Sequence, residues 1–262
     1  MIRVGVIGAC GRMGTMASRA VIDDPELALV AAVSPSCAGE DLAVAIGHPK
    51  AEGKVSAQLE ALVQADTEIA VDFTRPDVVM DDVRFGCTHG IHMVVGTTGV
   101  GLDEQETIRE WLKDSDANVV VAPNFSIGAV VAQRLAEEAA RHFPAAEIIE
   151  LHHDQKIDAP SGTAAATARR IAAARSEAWA GPEGESVEGV RGGSVEGIPV
   201  HSVRLPGLVA HQEVLFGGPG QTLSIRHDST DRSSFMPGVI LAIKEIARRP
   251  GLTLGLEPFL GT

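Results

Sequence analysis

The sequence predicts an α/β protein: a parallel sheet covered by helices on both faces, joined to a smaller α+β segment. In residues 1–125, short apolar runs alternate with helical patterns, an order typical of parallel strands that are buried on both faces. After Asn124 the order changes, and two helical segments precede three strand-like stretches. The 262 residues, 45% hydrophobic and 22% charged, suffice for one large domain or two modest ones.

Five strands and three helices are predicted in the first half, each bounded by a turn or by a change of periodicity. The strands are expected at Val4–Ile7, Leu27–Val33, Ile69–Phe73, Met93–Val95 and Val119–Ala122. The helices are expected from Met13 to about Asp23, from Pro76 to Phe85 and from Asp103 to Leu112. This alternation favours a sheet whose strands all end at the same edge.

In the second half, helices are expected at about 127–142, 161–178 and 234–247, and strands near 198–205, 209–216 and 222–227. The Gly-Gly-Pro-Gly segment before the last strand predicts a hairpin-like turn. Apolar residues alternate with polar or small ones along the last two strands, which indicates an antiparallel sheet with one covered face. The Gly- and Glu-rich segment 181–197 is expected to be a mobile loop.

The segment between the first strand and the first helix carries three glycines, Gly8, Gly11 and Gly14. Glycines there allow a tight turn, a close approach of the backbone to a pyrophosphate, and close packing of helix on strand. The N–H groups at the start of the helix can then bind an anion. The spacing departs from the standard Gly-x-Gly-x-x-Gly, and a purely structural turn is the alternative. The position at the first strand–helix junction favours a Rossmann-type dinucleotide site.

The end of the second strand bears on the choice of coenzyme. An NAD site usually has an acidic residue there that binds the ribose 2′-hydroxyl, but this chain has Ser34 and no carboxylate before Glu40. Arg12, unless it is simply a solvated surface residue, is a candidate for binding a 2′-phosphate, as are Ser34 and Ser36. We therefore expect NADPH to serve at least as well as NADH.

Three further strand ends carry polar or glycine-rich turns, at residues 72–76, 96–99 and 122–125. Ligands of an open parallel sheet lie outside the carboxyl ends of its strands, although each turn taken singly is compatible with ordinary turn chemistry. The turn at 96–99 can bring backbone groups close to a ribose or nicotinamide. Either Phe73 or Phe125 can form an apolar wall for the ring.

The residues most suited to catalysis are concentrated just before the second helix of the second half. His152, His153 and Lys156 precede a helix whose N-cap is predicted at Ser161, so the first N–H groups of that helix can accept an anion. The three side chains can donate charged hydrogen bonds to carboxylates, and a histidine or the lysine can protonate a carbanion or enamine after hydride delivery. Zinc is disfavoured and no metal is expected, because no His-x-x-x-His and no matching cysteine set accompanies the histidines.

Composition excludes several classes of function. A formal net charge of -13 argues against nucleic-acid partners and against binding to anionic membranes. No stretch approaches the roughly 18 apolar residues of a membrane span, and no signal peptide is apparent. Cys10, Cys37 and Cys87 lie far apart without a Cys-x-x-Cys motif. Neither a disulfide framework nor a cysteine zinc site is therefore expected, and a reducing cytoplasm fits.

Several motifs together resemble one enzyme family. They are Gly-x-x-Gly-Arg-Met-Gly at 8–14, Asp72-Phe73-Thr74, Val95-Gly96-Thr97-Thr98-Gly99, Ala122-Pro123-Asn124-Phe125, the run from Glu150 to Thr163, residues 207–214, and Phe235-Met236-Pro237-Gly238. Over essentially its whole length, the chain resembles the dihydrodipicolinate reductase (4-hydroxy-tetrahydrodipicolinate reductase) family of bacterial lysine and diaminopimelate synthesis. The most specific segment reads His-His-x-x-Lys-x-Asp-Ala-Pro-Ser-Gly-Thr.

The resemblance implies roles for individual positions. His152 matches the proposed proton donor/acceptor and Lys156 the proposed proton donor, while the substrate-binding positions match His153, Gly162 and Thr163. Cofactor contacts are implied at Gly8, Ala9, Cys10, Gly11, Arg12, Met13, Gly96, Thr97, Thr98, Ala122, Pro123, Asn124 and Phe125. The implied reaction is the NAD(P)H-dependent reduction of 4-hydroxy-tetrahydrodipicolinate to tetrahydrodipicolinate, with a proton from His152 or Lys156.

The resemblance also implies a topology. Residues 1–125 and 232–262 would form the dinucleotide-binding domain, and residues 126–231 an inserted α+β substrate-binding and oligomerisation domain with a mixed or antiparallel sheet. Members of the family are usually homotetramers built by pairing the substrate-domain sheets. Two positions depart from the family's pattern: Ser34 is often acidic, which leaves NADPH or NADH open, and Gln155 stands where some members have a third histidine.

Two other functions stay open. A different small-carboxylate dehydrogenase, acting for example on aspartate or its semialdehyde, would share the layout, and a panel of substrates separates the two. A nucleotide-sensing binding protein without turnover would keep the glycine-rich turn but would not need His152 and Lys156. Alanine at Lys156 would cost such a sensor nothing, whereas a reductase would lose rate.

Overall fold

Two compact units make up the chain in the computed structural model, which describes residues 1–175 and 184–261. The first unit consists of Met1–Phe125 and Phe235–Thr262, and the second of Ser126–Ser234. The second unit therefore interrupts the first along the sequence, and each unit contains its own sheet.

Within the described residues the chain forms eleven strands and eight α-helices. The strands are β1 (Ile2–Ile7), β2 (Leu27–Val33), β3 (Ile69–Asp72), β4 (His92–Val95), β5 (Val119–Val121), β6 (Ala145–His152), β7 (Gly193–Val195), β8 (Ile198–Arg204), β9 (Ala210–Gly218), β10 (Gln221–Ser229) and β11 (Leu252–Leu254). The helices are α1 (Arg12–Asp23), α2 (Leu42–Ile46), α3 (Glu60–Gln64), α4 (Val79–His89), α5 (Leu102–Leu112), α6 (Ile127–Ala140), α7 (Gly162–Ala174) and α8 (Met236–Glu245). Short 3₁₀ turns lie at Pro35–Cys37, Arg232–Phe235, Ile246–Arg248 and Glu257–Phe259.

The first unit is built on a parallel sheet, as the sequence predicts. Its strand order, over the part of the chain that is described, is β11-β5-β4-β3-β1-β2, and every pairing is parallel. All residues of β3 and β5 are buried, so both faces of the sheet are covered, which explains the nearly continuous apolar sequences. Ile7, Asp72, Val95 and Val121 lie side by side in the register, so the turns that follow these strands share one edge.

The second unit contains a mixed sheet, which confirms the predicted mixed or antiparallel sheet. The order of its described strands is β10-β9-β6-β8-β7, with β6 parallel to β8 and antiparallel to β9. Helices α6 and α7 contribute to a buried apolar cluster with the sheet, which includes Ile148, Ile171, Val214 and Phe216. The central strand, β6, is not among the strands that the sequence predicts, although it carries His152.

The segment expected to be a mobile loop, 181–197, is partly a strand. Residues 193–195 form β7, which pairs with β8, so the prediction is wrong there. Glu196 and Gly197 both have positive φ, 51° and 79°, and form the two-residue turn of a tight hairpin between the strands. Residues 181–183 lie outside the described residues.

Several helix bounds differ from those predicted. The helix expected at 161–178 is α7, whose last residue is Ala174, and positions 176–178 lie outside the described residues. The final helix is shorter than 234–247, because 3₁₀ turns replace α-helix at both ends of α8. Strand β11 has only three residues, too few for a periodicity to be seen. None of the described helices is long and apolar enough to cross a membrane.

Cys10 and Cys37 are joined by a disulfide, so the expectation of no such framework is wrong for this pair. They are 27 positions apart in sequence, but their Cα atoms are 6.5 Å apart. Cys10 follows β1 and Cys37 lies in the turn after β2, and these two strands are neighbours in the sheet. Parallel neighbours bring their following turns together, which sequence spacing does not reveal. Cys87 is a free, buried thiol, and burial raises its pKa to about 11.

Candidate active site

The glycine-rich turn after β1 permits a close approach of backbone to a ligand. Gly8 has a φ of +78°, and a Cβ atom there would collide with the carbonyl of Phe73. A Cβ atom on Gly14 would collide with the carbonyl of Gly8, so glycine lets α1 begin directly against the turn. Gly11 is the N-cap of α1, and no side chain caps the first N–H groups of this helix. The turn and the helix start therefore fit the pyrophosphate of a dinucleotide.

The end of β2 presents hydroxyl groups rather than a carboxylate. Ser34 is buried, and its hydroxyl lies 3.1 Å from that of Ser36. The Cys10–Cys37 disulfide connects the glycine-rich turn to the 3₁₀ turn that follows Ser34. Arg12, the first residue of α1, is exposed. The two turns that would frame the adenosine half of a coenzyme are thus covalently linked.

A buried carboxylate, Asp72, connects the turns after β3 and β4. Its Oδ1 accepts hydrogen bonds from the Thr97 hydroxyl at 2.5 Å, the Thr74 hydroxyl at 2.8 Å and the Thr74 N–H at 3.0 Å. Asp82 on α4 lies in the same cluster, with the Thr74 hydroxyl 3.3 Å from its Oδ2. Burial and the charge of Asp72 raise the pKa of Asp82 to about 7. This network fixes the polar turn at 72–76 and the predicted cofactor turn at 96–98 relative to the sheet.

Phe73 and Phe125, the two candidate ring walls, pack against each other. Their ring centroids are 6.0 Å apart in an edge-to-face arrangement, and Phe125 is buried. Phe73 is half-buried and lies so close to Gly96 that a Cβ atom there would overlap the ring. Phe73 is therefore the ring that retains an apolar surface, and Phe125 supports it. Of the other predicted cofactor positions, Ala9, Thr97 and Ala122 are buried, Cys10, Met13 and Asn124 are half-buried, and Thr98 and Pro123 are exposed.

Strand β6 of the second unit brings Glu150 and His152 together. Side chains two positions apart on a strand share a face, and Glu150 is completely buried there. Its Oε2 accepts a short hydrogen bond from Nδ1 of His152. Burial alone would raise the pKa of Glu150, but hydrogen bonds from His152 and Arg204 outweigh it and lower the pKa to about 2. The carboxylate is therefore ionised at neutral pH.

Arg204 is the second partner of this carboxylate. It ends β8 and lies opposite His152 in the register between β6 and β8. Its guanidinium donates to both oxygens of Glu150, at 3.0 and 2.8 Å, a bidentate geometry. It also donates to the main-chain carbonyls of Lys156, at 3.2 Å, and Asp158, at 2.6 Å. Arg204 thus holds the loop of Lys156 to the carboxylate that also binds His152.

Helix α7 begins beside the same group. Ser161 is its N-cap, as predicted, and the Ser161 side chain accepts a hydrogen bond from the N–H of Ala164 at 3.1 Å. The N–H of Ser161 donates to Oε1 of Glu150 at 3.3 Å. Gly162 is exposed, Thr163 is half-buried, and no acidic residue occupies the first turn. The start of α7 can therefore bind an anion such as a carboxylate.

Lys156 and His153 occupy the loop between β6 and α7. The Lys156 ammonium lies 2.7 and 2.8 Å from the two carboxylate oxygens of Asp158 and lowers the pKa of that carboxyl. His153 is half-buried, and its carbonyl accepts a hydrogen bond from the N–H of Lys156 at 3.2 Å. The structure therefore gathers His152, the Lys156 backbone and the start of α7 around Glu150. Among the described residues, no group of three or more His, Cys, Asp or Glu side chains could hold a metal.

The sequence alone predicts no role for Glu150, Arg204, Asp72 or Asp82. A signal existed for Glu150, because a carboxylate two positions before a histidine in a strand shares its face. No such signal existed for Arg204, which lies 54 positions from Glu150 and meets it only through strand pairing.

Comparison with known proteins decides the family. The models of the two halves of dihydrodipicolinate reductase match this chain, the N-terminus over residues 2–125 and the C-terminus over residues 128–260. The chain belongs to the dihydrodipicolinate reductase family. The resemblance seen in the sequence is thereby confirmed, and the glycine-rich turn and the residues around Glu150 each fall within a matched range.

Relatives of this reductase family match the chain over nearly its full length. It is 52% identical to the 4-hydroxy-tetrahydrodipicolinate reductase of Nocardia farcinica, over 99% of this chain and 98% of that protein. It is 50% identical to the enzyme of the same name from Mycolicibacterium gilvum, over 99% of both chains. The structure of dipicolinate-bound dihydrodipicolinate reductase from Paenisporosarcina sp. TG-14 matches with a TM-score of 0.86 and 40% identity, covering 98% of this chain and 99% of that one.

Proposed function

We propose that this chain is an NAD(P)H-dependent oxidoreductase that reduces 4-hydroxy-tetrahydrodipicolinate (dihydrodipicolinate) to tetrahydrodipicolinate in diaminopimelate and lysine synthesis. One observation carries the proposal: the buried Glu150 carboxylate binds His152 and the start of α7 directly, and through Arg204 it also holds the Lys156 backbone. These groups come from the family's most specific motif. Relatives about half identical to the chain bear the name of this enzyme, and one solved relative is described as binding dipicolinate, a ring dicarboxylate.

The first unit would hold the coenzyme, which supplies the hydride when bound. The N–H groups at the start of α1 and the turn from Gly8 to Met13 would bind the pyrophosphate. The turns at 96–98 and 122–125 would contact the nicotinamide half. Asp72 supports this by fixing the first of those turns through the Thr97 hydroxyl.

We further propose that NADPH serves at least as well as NADH. The end of β2 has no carboxylate that would repel a 2′-phosphate, and the Ser34 and Ser36 hydroxyls lie 3.1 Å apart there. Arg12 is exposed at the start of α1 and would pair with that phosphate. A ratio of kcat/KM values that clearly favours NADH would contradict this.

The second unit would bind the substrate. The N–H groups of Gly162 and Thr163 at the start of α7, together with His153, would hold the two ring carboxylates. The ring reacts as an α,β-unsaturated cyclic imine, formed as the 4-hydroxyl leaves as water. Hydride adds to this ring, and His152 or Lys156 would protonate the position left electron-rich, so one hydride and one proton complete the reduction.

We assign the two proposed roles to the domain ranges that the sequence analysis gives. Residues 1–125 and 232–262 would serve the dinucleotide, and residues 126–231 the substrate and oligomerisation. We expect a cytoplasmic homotetramer that pairs the sheets of the second unit, without nucleic-acid or membrane partners. The exposed Leu215 on β9 agrees with a sheet face that another copy covers. Sedimentation as a monomer at micromolar concentration would contradict the assembly.

The function is tested by the loss of NADPH absorbance. The substrate is generated freshly from pyruvate and aspartate semialdehyde by a synthase, and aspartate semialdehyde alone serves as the comparison. Rapid oxidation only with the synthase product supports the reductase. Oxidation with aspartate semialdehyde alone would indicate the alternative small-carboxylate dehydrogenase. Tight NADPH binding without oxidation by either would favour a nucleotide sensor.

A further inference from the structure

The carboxylate of Glu150 is surrounded by hydrogen-bond donors. Its Oε1 accepts from the Ser161 N–H at 3.3 Å and from Arg204 at 2.8 Å, and its Oε2 accepts from Arg204 at 3.0 Å and from Nδ1 of His152. The side chain has no exposed surface. Every partner that the described residues give it is a donor, and an ionised carboxylate is the acceptor-only group that satisfies them all.

This arrangement fixes the chemical form of His152. An ionised carboxylate cannot donate, so Nδ1 of His152 must carry a proton, and Nε2 is then the ring atom at which a proton is gained or lost. The imidazole is only 13% exposed and is held on its Nδ1 side, so its orientation is fixed as well. A general acid needs both the right tautomer and the right direction.

The same carboxylate reaches the rest of the motif through Arg204. One guanidinium nitrogen donates both to Glu150 and to the carbonyl of Asp158, at 2.8 and 2.6 Å, and a second reaches the carbonyl of Lys156 at 3.2 Å. Without the carboxylate, Arg204 would be a half-buried cation without its counter-ion, and the loop would lose its anchor. Glu150 therefore connects three segments that are separate in sequence.

We propose that Glu150 is a positioning residue for the reduction: it keeps His152 in the Nδ1–H form and confines proton exchange to Nε2. Through Arg204 it fixes the main chain of residues 156–158, and through the Ser161 N–H it fixes the start of α7. Its kinetic consequence rests on the proposed function, but the state of the histidine ring does not. Glu150 acts through these groups and does not itself exchange a proton with the substrate.

Glutamine tests this role because it matches the size of Glu150 but carries two donor hydrogens. With the –NH₂ group at the Oε2 position it faces Nδ1 of His152, which must then lose its proton to the other ring nitrogen. With the –NH₂ group at the Oε1 position it faces the N–H of Ser161, and the helix start loses its acceptor. In either orientation a buried donor stays unpaired. Aspartate keeps the charge but is one methylene shorter, so it should restore part of the function.

Glu138 offers a matched control. It also has one arginine and one histidine as partners, with Arg141 at 2.8 Å and His142 at 3.4 Å. These side chains are all exposed, they lie at and just after the C-terminal end of α6, and none of them belongs to the motif. Glu138→Gln therefore removes the same kind of contacts without touching the proposed site, and it should leave activity and the His152 ring unchanged.

The decisive readout is the tautomer of His152, measured without turnover. Histidine is labelled with ¹⁵N in the full chain, and the His152 signals are identified by their loss in His152→Gln. Near pH 8 the wild-type ring should be protonated on Nδ1. In Glu150→Gln this signature should reverse if the –NH₂ group faces the ring, and it should persist together with a lowered kcat if the –NH₂ group faces Ser161. A wild-type ring protonated only on Nε2 would overturn the proposal, and this wild-type measurement stands even if Glu150→Gln does not fold.

Kinetics supply the second readout. Glu150→Gln should lower kcat at least ten-fold with the Kd for NADPH unchanged, because general-acid catalysis contributes about 10²–10⁴-fold. Glu150→Asp should recover part of the loss, and Glu138→Gln should match the wild type. A Glu150→Gln variant with wild-type kcat and an unchanged His152 signal would overturn the proposal. If the wild type itself turns over no substrate, the proposed function fails, while the tautomer still decides the role of Glu150.

Discussion

Acid should destabilise the fold through Glu150 in a defined pH range. In the folded chain, hydrogen bonds from His152 and Arg204 outweigh the effect of burial and lower the pKa of Glu150 from 4.5 to about 2. A carboxyl group whose folded-state pKa is depressed stabilises the fold above its unfolded pKa, and this contribution is lost as the pH falls through the folded pKa. The loss should therefore begin below about pH 5 and be complete only near pH 1.

The magnitude follows from the same two values. At about 1.36 kcal/mol per pH unit, the depressed pKa of Glu150 corresponds to about 3 kcal/mol of unfolding free energy at neutral pH. About 2 kcal/mol of this is lost by pH 3. The side chain has no exposed surface, so solvent does not screen the interaction. Glu150→Gln removes the titrating group, so the difference between wild type and variant should shrink by about 2 kcal/mol between pH 6 and pH 3.

Urea-induced unfolding followed by circular dichroism at each pH measures this difference. The two proteins share every other carboxyl group, so the acid sensitivity of the rest of the chain cancels. Glu138→Gln, an exposed pair with the same partner types, should differ little from wild type at any pH. A difference between wild type and Glu150→Gln that stays constant from pH 6 to pH 3 would refute the reasoning.

Three further predictions concern other parts of the chain. Burial and the charge of Asp72 raise the pKa of Asp82 to about 7, so stability present below its unfolded pKa of 3.8 is lost as the pH rises through 7. The Tm of Asp82→Asn minus the Tm of wild type should therefore increase as the pH rises from 5 to 8. A difference in Tm that does not change with pH would argue against this. Cys37→Ser should lower the unfolding free energy, measured in urea without reductant, by about 3–4 kcal/mol, because the disulfide joins residues 27 positions apart. In excess dithiothreitol the same substitution should change the unfolding free energy hardly at all. Equal stability of wild type and variant without reductant would contradict this. Ser161→Ala should lower the free energy of unfolding by about 0.5–2 kcal/mol through loss of the N-cap. It should also raise the KM for the substrate, and an unchanged KM would indicate that the start of α7 is not part of the site.

The first unit could be predicted well because its signals are local. Each strand is a short apolar run, and the glycines of the first turn stand where α1 begins against β1, so sequence neighbours are also structural neighbours. The N-cap at Ser161 is local in the same way. Strand β11 could not be recognised, because its three residues gain their structure only by pairing with β5.

Strand β6 shows why the centre of the candidate site was harder to predict. Its buried face carries Ala146 and Ile148, but then Glu150 and His152, so ionisable residues stand where alternation requires apolar ones. Those residues are tolerated only because Arg204, far away in sequence, supplies the counter-charge. A pattern that tertiary contacts make possible cannot be read from one strand alone.

The Cys10–Cys37 disulfide and the Asp72 cluster illustrate the same limit. The two cysteines meet because β1 and β2 are parallel neighbours, and Asp72 meets Thr97 because β3 and β4 are. In both cases the residue types were visible in the sequence and the pairing was not. The order of strands in a sheet decides such pairs, and periodicity does not specify it.

The most direct test of the central claim is the rate of NADPH oxidation on freshly generated 4-hydroxy-tetrahydrodipicolinate by wild type, His152→Gln and Lys156→Ala, with the Kd for NADPH measured on each. If the motif around Glu150 performs the reduction, the wild type turns over rapidly. At least one of the two variants then loses about 10²-fold or more in kcat while binding NADPH as the wild type does. Wild-type rates in both variants would contradict the claim.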